Sequence, residues 1–101
     1  MYIVGEAGRV MQSQGLTWEA FARALGQEFQ RARGTKGLSQ ERVAHMAGIT
    51  GYTYQKLEKG ESRPGSPLNP QLKTLIAVCQ VLGLSPAELL AGELPDLTEG
   101  R

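Results

Sequence analysis

The chain is short of the residues that carry out chemistry. Among its 101 residues there is one histidine, His45, and one cysteine, Cys79. A lone cysteine excludes an intramolecular disulfide and suits a reducing compartment, so the expected location is the cytoplasm. One residue of each kind is too few for a structural zinc site. Cys79 also falls on an apolar helical stripe rather than beside the histidine, so neither a catalytic dyad nor a bound metal is expected. No glycine-rich phosphate loop follows a strand pattern, and no cofactor is expected. The chain does not read as an enzyme. Long hydrophobic runs are missing as well. The short apolar run Tyr2-Ile3-Val4 has no basic residue before it and does not read as a signal peptide, and no segment is long enough to span a membrane.

A strong charge is the last thing the chain lacks. Its formal net charge is +1, which by itself does not announce a polyanionic partner. The distribution says more. From Arg23 to Lys73 nine basic residues face four acidic ones, whereas after Lys73 only Arg101 stands against Glu88, Glu93, Asp96 and Glu99. A basic middle and an acidic end fit a nucleic-acid-contacting face with a tail kept away from it. Length and a hydrophobic content of 41% allow one small domain with one core.

What is present is a pair of short helices hinged at a glycine. Val43, Ala44 and Ala47 share one side of the first, Ile49 follows the turn, and Tyr54 and Leu57 share one side of the second at helical spacing. Ser39 and Thr50 are suited to cap the two helices, each hydroxyl accepting from an otherwise unpaired backbone N–H. Gly48 sits where the chain must turn sharply, and Ala44 is small where crossing helices approach. Two helices at a steep angle joined by a glycine-containing turn describe a helix-turn-helix. With Tyr54 and Leu57 inside, Gly51, Tyr52, Gln55 and Lys56 face outward on the second helix. Gln can bond adenine N6 and N7, and Lys can donate to guanine O6 and N7. Tyr52 can meet a thymine methyl with its ring or a phosphate with its hydroxyl, and Gly51 permits close backbone approach.

The stretch from about Leu25 to Leu90 resembles the Xre/Cro family of phage-repressor-type domains. The match is carried by Arg33, Gly37-Leu38-Ser39-Gln40-Glu41, Val43-Ala44, Ala47-Gly48-Ile49-Thr50, Leu57-Glu58-Lys59-Gly60, Leu72-Lys73-Thr74-Leu75, Leu82-Gly83-Leu84-Ser85 and Leu89-Leu90. The resemblance implies an all-α, lambda-repressor-like bundle of about five helices that binds double-stranded operator DNA, usually as a homodimer. It implies a transcriptional regulator, expected to be a repressor, with Gly51, Tyr52, Gln55 and Lys56 at the bases. Ser39, Gln40, Thr50, Lys59 and Arg63 are the implied phosphate contacts, and Arg33 with Glu58 the implied structural ion pair. Tyr54 departs from the family, which usually places leucine or a β-branched residue there; a buried tyrosine must find a partner for its hydroxyl. The alternative reading is an antitoxin, which binds a partner toxin and represses its own operon through the same fold.

The rest of the chain is organised around that motif. Residues 1–16 read as an N-terminal arm, 17–92 as the DNA-binding domain and 93–101 as a flexible acidic tail. A first helix is expected from the Thr17 cap to about Arg33, weakened by Gly26. Residues 60–69 read as a loop, about six residues longer than is usual in the family. Asn69 and Pro70 are expected to open a helix with Leu72, Leu75, Ile76, Cys79 and Leu82 as its buried stripe. Ser85 and Glu88 form a capping box for a last helix ending near Gly92. Val78 and Val81, off the main stripe, join Leu89 and Leu90 as candidates for a dimer interface.

Overall fold

The computed structural model describes residues 12, 13 and 15–100. Five α-helices are found there: α1 Trp18–Lys36, α2 Gln40–Ala47, α3 Gly51–Lys59, α4 Leu72–Leu82 and α5 Pro86–Leu89. Four of them start where a hydroxyl can take up a stranded backbone N–H. Thr17 accepts from Ala20, Ser39 from Arg42, Thr50 from Thr53, and Ser85 from Glu88. The bundle of about five helices expected from the sequence is the one observed, with two short two-stranded ladders added to it.

Phe29 of α1, Val43 of α2, Tyr54 of α3 and Val78 and Cys79 of α4 are fully buried and form the centre of one core. Two glycines set how closely α1 and α3 pack. A methyl group on Gly26 would lie 2.3 Å from the carbonyl oxygen of Glu58, and one on Gly60 would lie 2.7 Å from Cα of Arg23. Both distances are far inside van der Waals contact, so backbone meets backbone at each crossing. Gly26 therefore does not merely weaken α1; it admits the end of α3.

Several boundaries differ from expectation. Helix α1 continues past Arg33 to Lys36 and stops at Gly37, with the Thr35 hydroxyl bonded back to the Arg31 carbonyl at 3.1 Å. Helix α4 opens at Gln71, without a side-chain cap, and not at Asn69. The cause lies just upstream: Leu68 donates its N–H to Gly60 O at 2.8 Å and accepts the Trp18 indole N–H at 2.9 Å. These bonds tie the lead-in to the end of α3 and to the start of α1, upstream of the helix. Helix α5 ends at Leu89, short of Gly92.

The expected loop after α3 is a hairpin. Strand β1 (Glu61–Arg63) pairs antiparallel with β2 (Ser66–Pro67) across a Pro64-Gly65 turn, with an irregular register between Glu61 and Arg63. The composition rightly marked a turn but not the short ladder on either side of it. The stripe of α4 is also rotated from expectation. Leu75, Val78, Cys79 and Leu82 are buried, whereas Leu72 is 69% and Ile76 38% exposed. Val78 packs in the core between α4 and its neighbours and is no candidate for an interface; Val81 and Leu89 are partly covered against that core.

Of the expected arm, residues 1–11 and 14 lie outside the described residues. Gln12–Ser13 forms a two-residue parallel ladder with Leu94–Pro95. This ladder seats part of the expected tail on the body, with Pro95 buried. Beyond it, Asp96 Oδ1 accepts from the Thr98 N–H at 3.0 Å and from the Thr98 hydroxyl at 2.6 Å.

Candidate nucleic-acid interface

Helix α3 is held by its inner residues and shows the rest. Tyr54 is 0% and Leu57 2% exposed, while Tyr52 is 68% exposed. Gln55 and Lys59 are exposed, and Gly51 and Lys56 partly so. The three-to-four-residue period of the helix dictates this split once the inner pair is anchored. The four residues expected at the bases thus lie together on one surface of α3. Lys56 Nζ sits 4.3 Å from the centroid of the Tyr52 ring, one helical turn away. At Gly51 the nearest atom to a built methyl group is Glu41 Cγ, at 4.0 Å. The fold itself has no steric need for glycine there.

The base of α3 is fixed by an ion pair. Arg33 Nε donates to Glu58 Oε2 at 2.6 Å and Arg33 Nη2 to Glu58 Oε1 at 3.1 Å, while Arg33 Nη1 reaches the Leu38 carbonyl at 3.0 Å. The two-pronged geometry is the one in which guanidinium and carboxylate bind best. The side chain of Glu58 is 4% exposed and that of Arg33 20%. Burial works to raise the pKa of Glu58, but Arg33 first, then the nearby Tyr54 hydroxyl and the Gln40 amide, outweigh it and hold the carboxylate below its ordinary value. The same pair raises the pKa of Arg33. Glu58, with its charge already matched, faces inward from the outer surface of α3.

Tyr54 lies beneath this pair. Its hydroxyl is buried with no partner in hydrogen-bond geometry. Burial first, and then the neighbouring Glu58 carboxylate, push its pKa above the ordinary phenol value. The ring fills the core where the family usually carries an aliphatic side chain, and the helix keeps its outward residues outward.

The residues expected at phosphates fall into two groups. Lys59 and Arg63 are exposed, Lys59 at the last turn of α3 and Arg63 at the end of β1 next to the hairpin turn, where its Nε lies 3.4 Å from Ser66 Oγ. Gln40, Ser39 and Thr50 are already engaged. Gln40 Nε2 donates to Glu58 Oε1 at 2.9 Å, Ser39 accepts its capping bond, and Thr50 both caps α3 and bonds the Thr53 hydroxyl at 3.0 Å. Sequence reasoning missed Gln40's tie to Glu58. A glutamine at the start of one helix and a glutamate at the end of the next carry no local signature of meeting. It also missed the tight seat of α3 on Gly26, for which an unexplained glycine inside an amphipathic helix was the only signal.

No group of three or more metal-ligating side chains occurs among the described residues. No helix among them is long and apolar enough to cross a membrane. Burial pushes the Cys79 thiol pKa up, as for a packing residue.

The family model described as a helix-turn-helix domain matches residues 24–91. A prophage-derived uncharacterized HTH-type transcriptional regulator of Bacillus subtilis, YonR, is 39% identical over 68 residues. The match covers 67% of this chain and 57% of that protein, so the chain spans less than two thirds of this relative's length. Among solved structures, the restriction-modification controller protein C.AhdI of Aeromonas hydrophila superposes with a TM-score of 0.56 at 29% identity, covering 68% of this chain and 94% of that one. The clp gene regulator ClgR of C. glutamicum superposes with a TM-score of 0.59 at 26% identity, covering 69% and 82%.

Proposed function

Because this chain belongs to the helix-turn-helix domain family, a family of transcription regulators and not of enzymes, we propose that it is a sequence-specific DNA-binding transcriptional regulator acting in the cytoplasm. Helix α3 enters the major groove and places Tyr52, Gln55 and Lys56 against base edges, with Gly51 letting the backbone come close. Lys59 and Arg63 hold the flanking phosphates, and the N-terminal turn of α2 adds the backbone N–H groups and partial positive charge of a helix start. Gln40 serves as a bridge: its amide nitrogen stays on Glu58, and its side chain sets the α2 start relative to the recognition helix. Arg33 and Glu58 are structural.

One observation carries this reading. The surface of α3 that holds Tyr52, Gln55 and Lys59 is open while Tyr54 and Leu57 anchor the opposite side in the core. A homodimer is part of the proposal, since one recognition helix reads few base pairs and paired half-sites supply specificity. Repression is the expected direction of control.

The test is selection of bound duplexes from a random pool, followed by affinity measurements at two salt concentrations. The expected product is a motif with two-fold symmetry whose binding weakens as salt rises. Gln55→Ala is expected to lose about 1–3 kcal/mol at the selected site and to relax preference at one base pair. Enrichment of no motif by the wild-type chain rejects the proposal.

A further inference from the structure

Tyr52 is the largest apolar surface that α3 turns to solvent, at 68% exposure. Its ring does not lie loose. Lys56 follows it by four residues, which stacks the two side chains on one helix face, and the ammonium stands 4.3 Å from the ring centroid. A cation at that distance is drawn to the negative face of the ring and holds it in place. One face of the ring is thereby met by a charge, while the residue as a whole stays 68% exposed. The pair sits in the first two turns of the helix, beside the exposed amide of Gln55.

A ring held this way has a restricted set of complements in the major groove. Base edges there are hydrogen-bond donors and acceptors with one apolar exception, the C5-methyl group of thymine. Laying an aromatic ring on a polar edge would strip that edge of water without supplying a bond. Intercalation is closed off by the ammonium over one face. The methyl group of a C5-methylated pyrimidine is what remains. We propose that Tyr52, positioned by Lys56, reads a pyrimidine C5-methyl group, whether of thymine or of 5-methylcytosine. This deepens the function proposed above and rests on it. Besides the base contact proposed for it above, Lys56 is a positioning residue for the ring: its ammonium keeps Tyr52 in the reading posture.

The experiment uses the full chain and the duplex selected as its preferred site. Each thymine is replaced singly by deoxyuridine, which removes only the methyl group, and affinity is measured by fluorescence anisotropy. At one position in each half-site the wild type is expected to bind about fourfold more weakly, the worth of one buried methyl group. Tyr52→Phe should keep that ratio, Tyr52→Ala should bring it to about one, and Lys56→Met should shrink it by loosening the ring. A duplex with cytosine at the sensitive position is then compared with its 5-methylcytosine counterpart. Tighter binding of the methylated form means the methyl group is read on either base, and equal binding confines the reader to thymine. Deoxyuridine substitutions without effect at every position overturn the inference while leaving the proposed function intact. So does Tyr52→Phe losing as much affinity as Tyr52→Ala, which would move the contact to the hydroxyl and a phosphate. A wild-type chain with no preferred duplex at all removes both.

Discussion

Glu58 shows how one residue can decide the posture of a helix. Its carboxylate takes Arg33 of α1 from one side and Gln40 of α2 from the other, at 2.6 and 2.9 Å. Removing one partner of a buried pair leaves a charge without compensation, and such changes cost about 3–5 kcal/mol. Arg33 keeps some contact with water, so Glu58→Ala is expected near the lower end, about 3 kcal/mol, as a lowered midpoint in urea. Thermal melts across acidic pH provide a second check. The native carboxylate is held below its ordinary value of 4.5, so the unfolded chain takes up the proton more readily. The stability this adds is complete above that ordinary value and is lost as pH falls through the lower native one. Glu58→Gln should flatten that part of the acid limb. A parallel shift of the whole curve, with the same acid slope, would show that Glu58 does not set it. Gly51 makes the opposite kind of case. A methyl group there meets nothing closer than 4.0 Å, and alanine restricts the unfolded chain. Gly51→Ala should therefore raise stability by about 0.4–1 kcal/mol while weakening DNA binding. A variant that gains stability and keeps full affinity would dismiss the idea of close backbone approach.

At the scale of the element, the seat of α3 on α1 is the joint to test. Gly26 and Gly60 each leave space that a single methyl group would fill with backbone already in place. Overpacking commonly costs about 1–3 kcal/mol. Gly26→Ala should cost at least that and should tilt the recognition helix, so that DNA affinity falls even at temperatures where the chain stays folded. Circular-dichroism melts combined with anisotropy separate the two effects; unchanged melting would mean that the helices move apart freely. The hairpin supplies a milder prediction. Arg63 is exposed at its end, with its Nε 3.4 Å from Ser66 Oγ. Arg63→Ala should leave the melting temperature in place, weaken binding about equally across DNA sequences, and reduce the salt slope by about 1.

For the molecule as a whole, charge is arranged rather than abundant. The net charge of +1 conceals a basic stretch from Arg23 to Lys73, and within it the one carboxylate on the recognition helix is turned inward to Arg33. The exposed side of α3 therefore carries basic residues without an acidic neighbour on the same helix. DNA affinity should fall steeply between low and physiological salt even though the chain is nearly neutral. Affinity insensitive to salt would mean that phosphates are not being neutralised. The apolar groove on another part of the surface, lined by Trp18, Phe21, Leu72, Leu94 and Leu97, shows how the terminal segments matter to the whole. Leu94–Pro95 reaches it by pairing with Gln12–Ser13, so the two ends of the described chain meet beside α1.

Local chemistry was enough to read much of this protein. The caps at Thr17, Ser39, Thr50 and Ser85, the turn at Gly48, and the anchoring of Tyr54 and Leu57 depend on residues within a turn or two of each other. Periodicity and capping encode such relations directly. The outward set Tyr52, Gln55 and Lys56 followed from the same period. Whatever depended on distant segments was decided only on folding. Composition marked residues 60–69 as a turn region, but their pairing needed the Gly60–Leu68 bond and the Trp18 indole. The rotation of α4 that buries Val78 and exposes Leu72 was set by neighbours whose approach no window of sequence contains. Gly26 looked like a flaw in a helix because the carbonyl that needs its space belongs to Glu58, more than thirty residues away. Short-range hydrogen bonds and helical phase are properties of adjacent residues, whereas close packing is a property of surfaces that meet only in three dimensions.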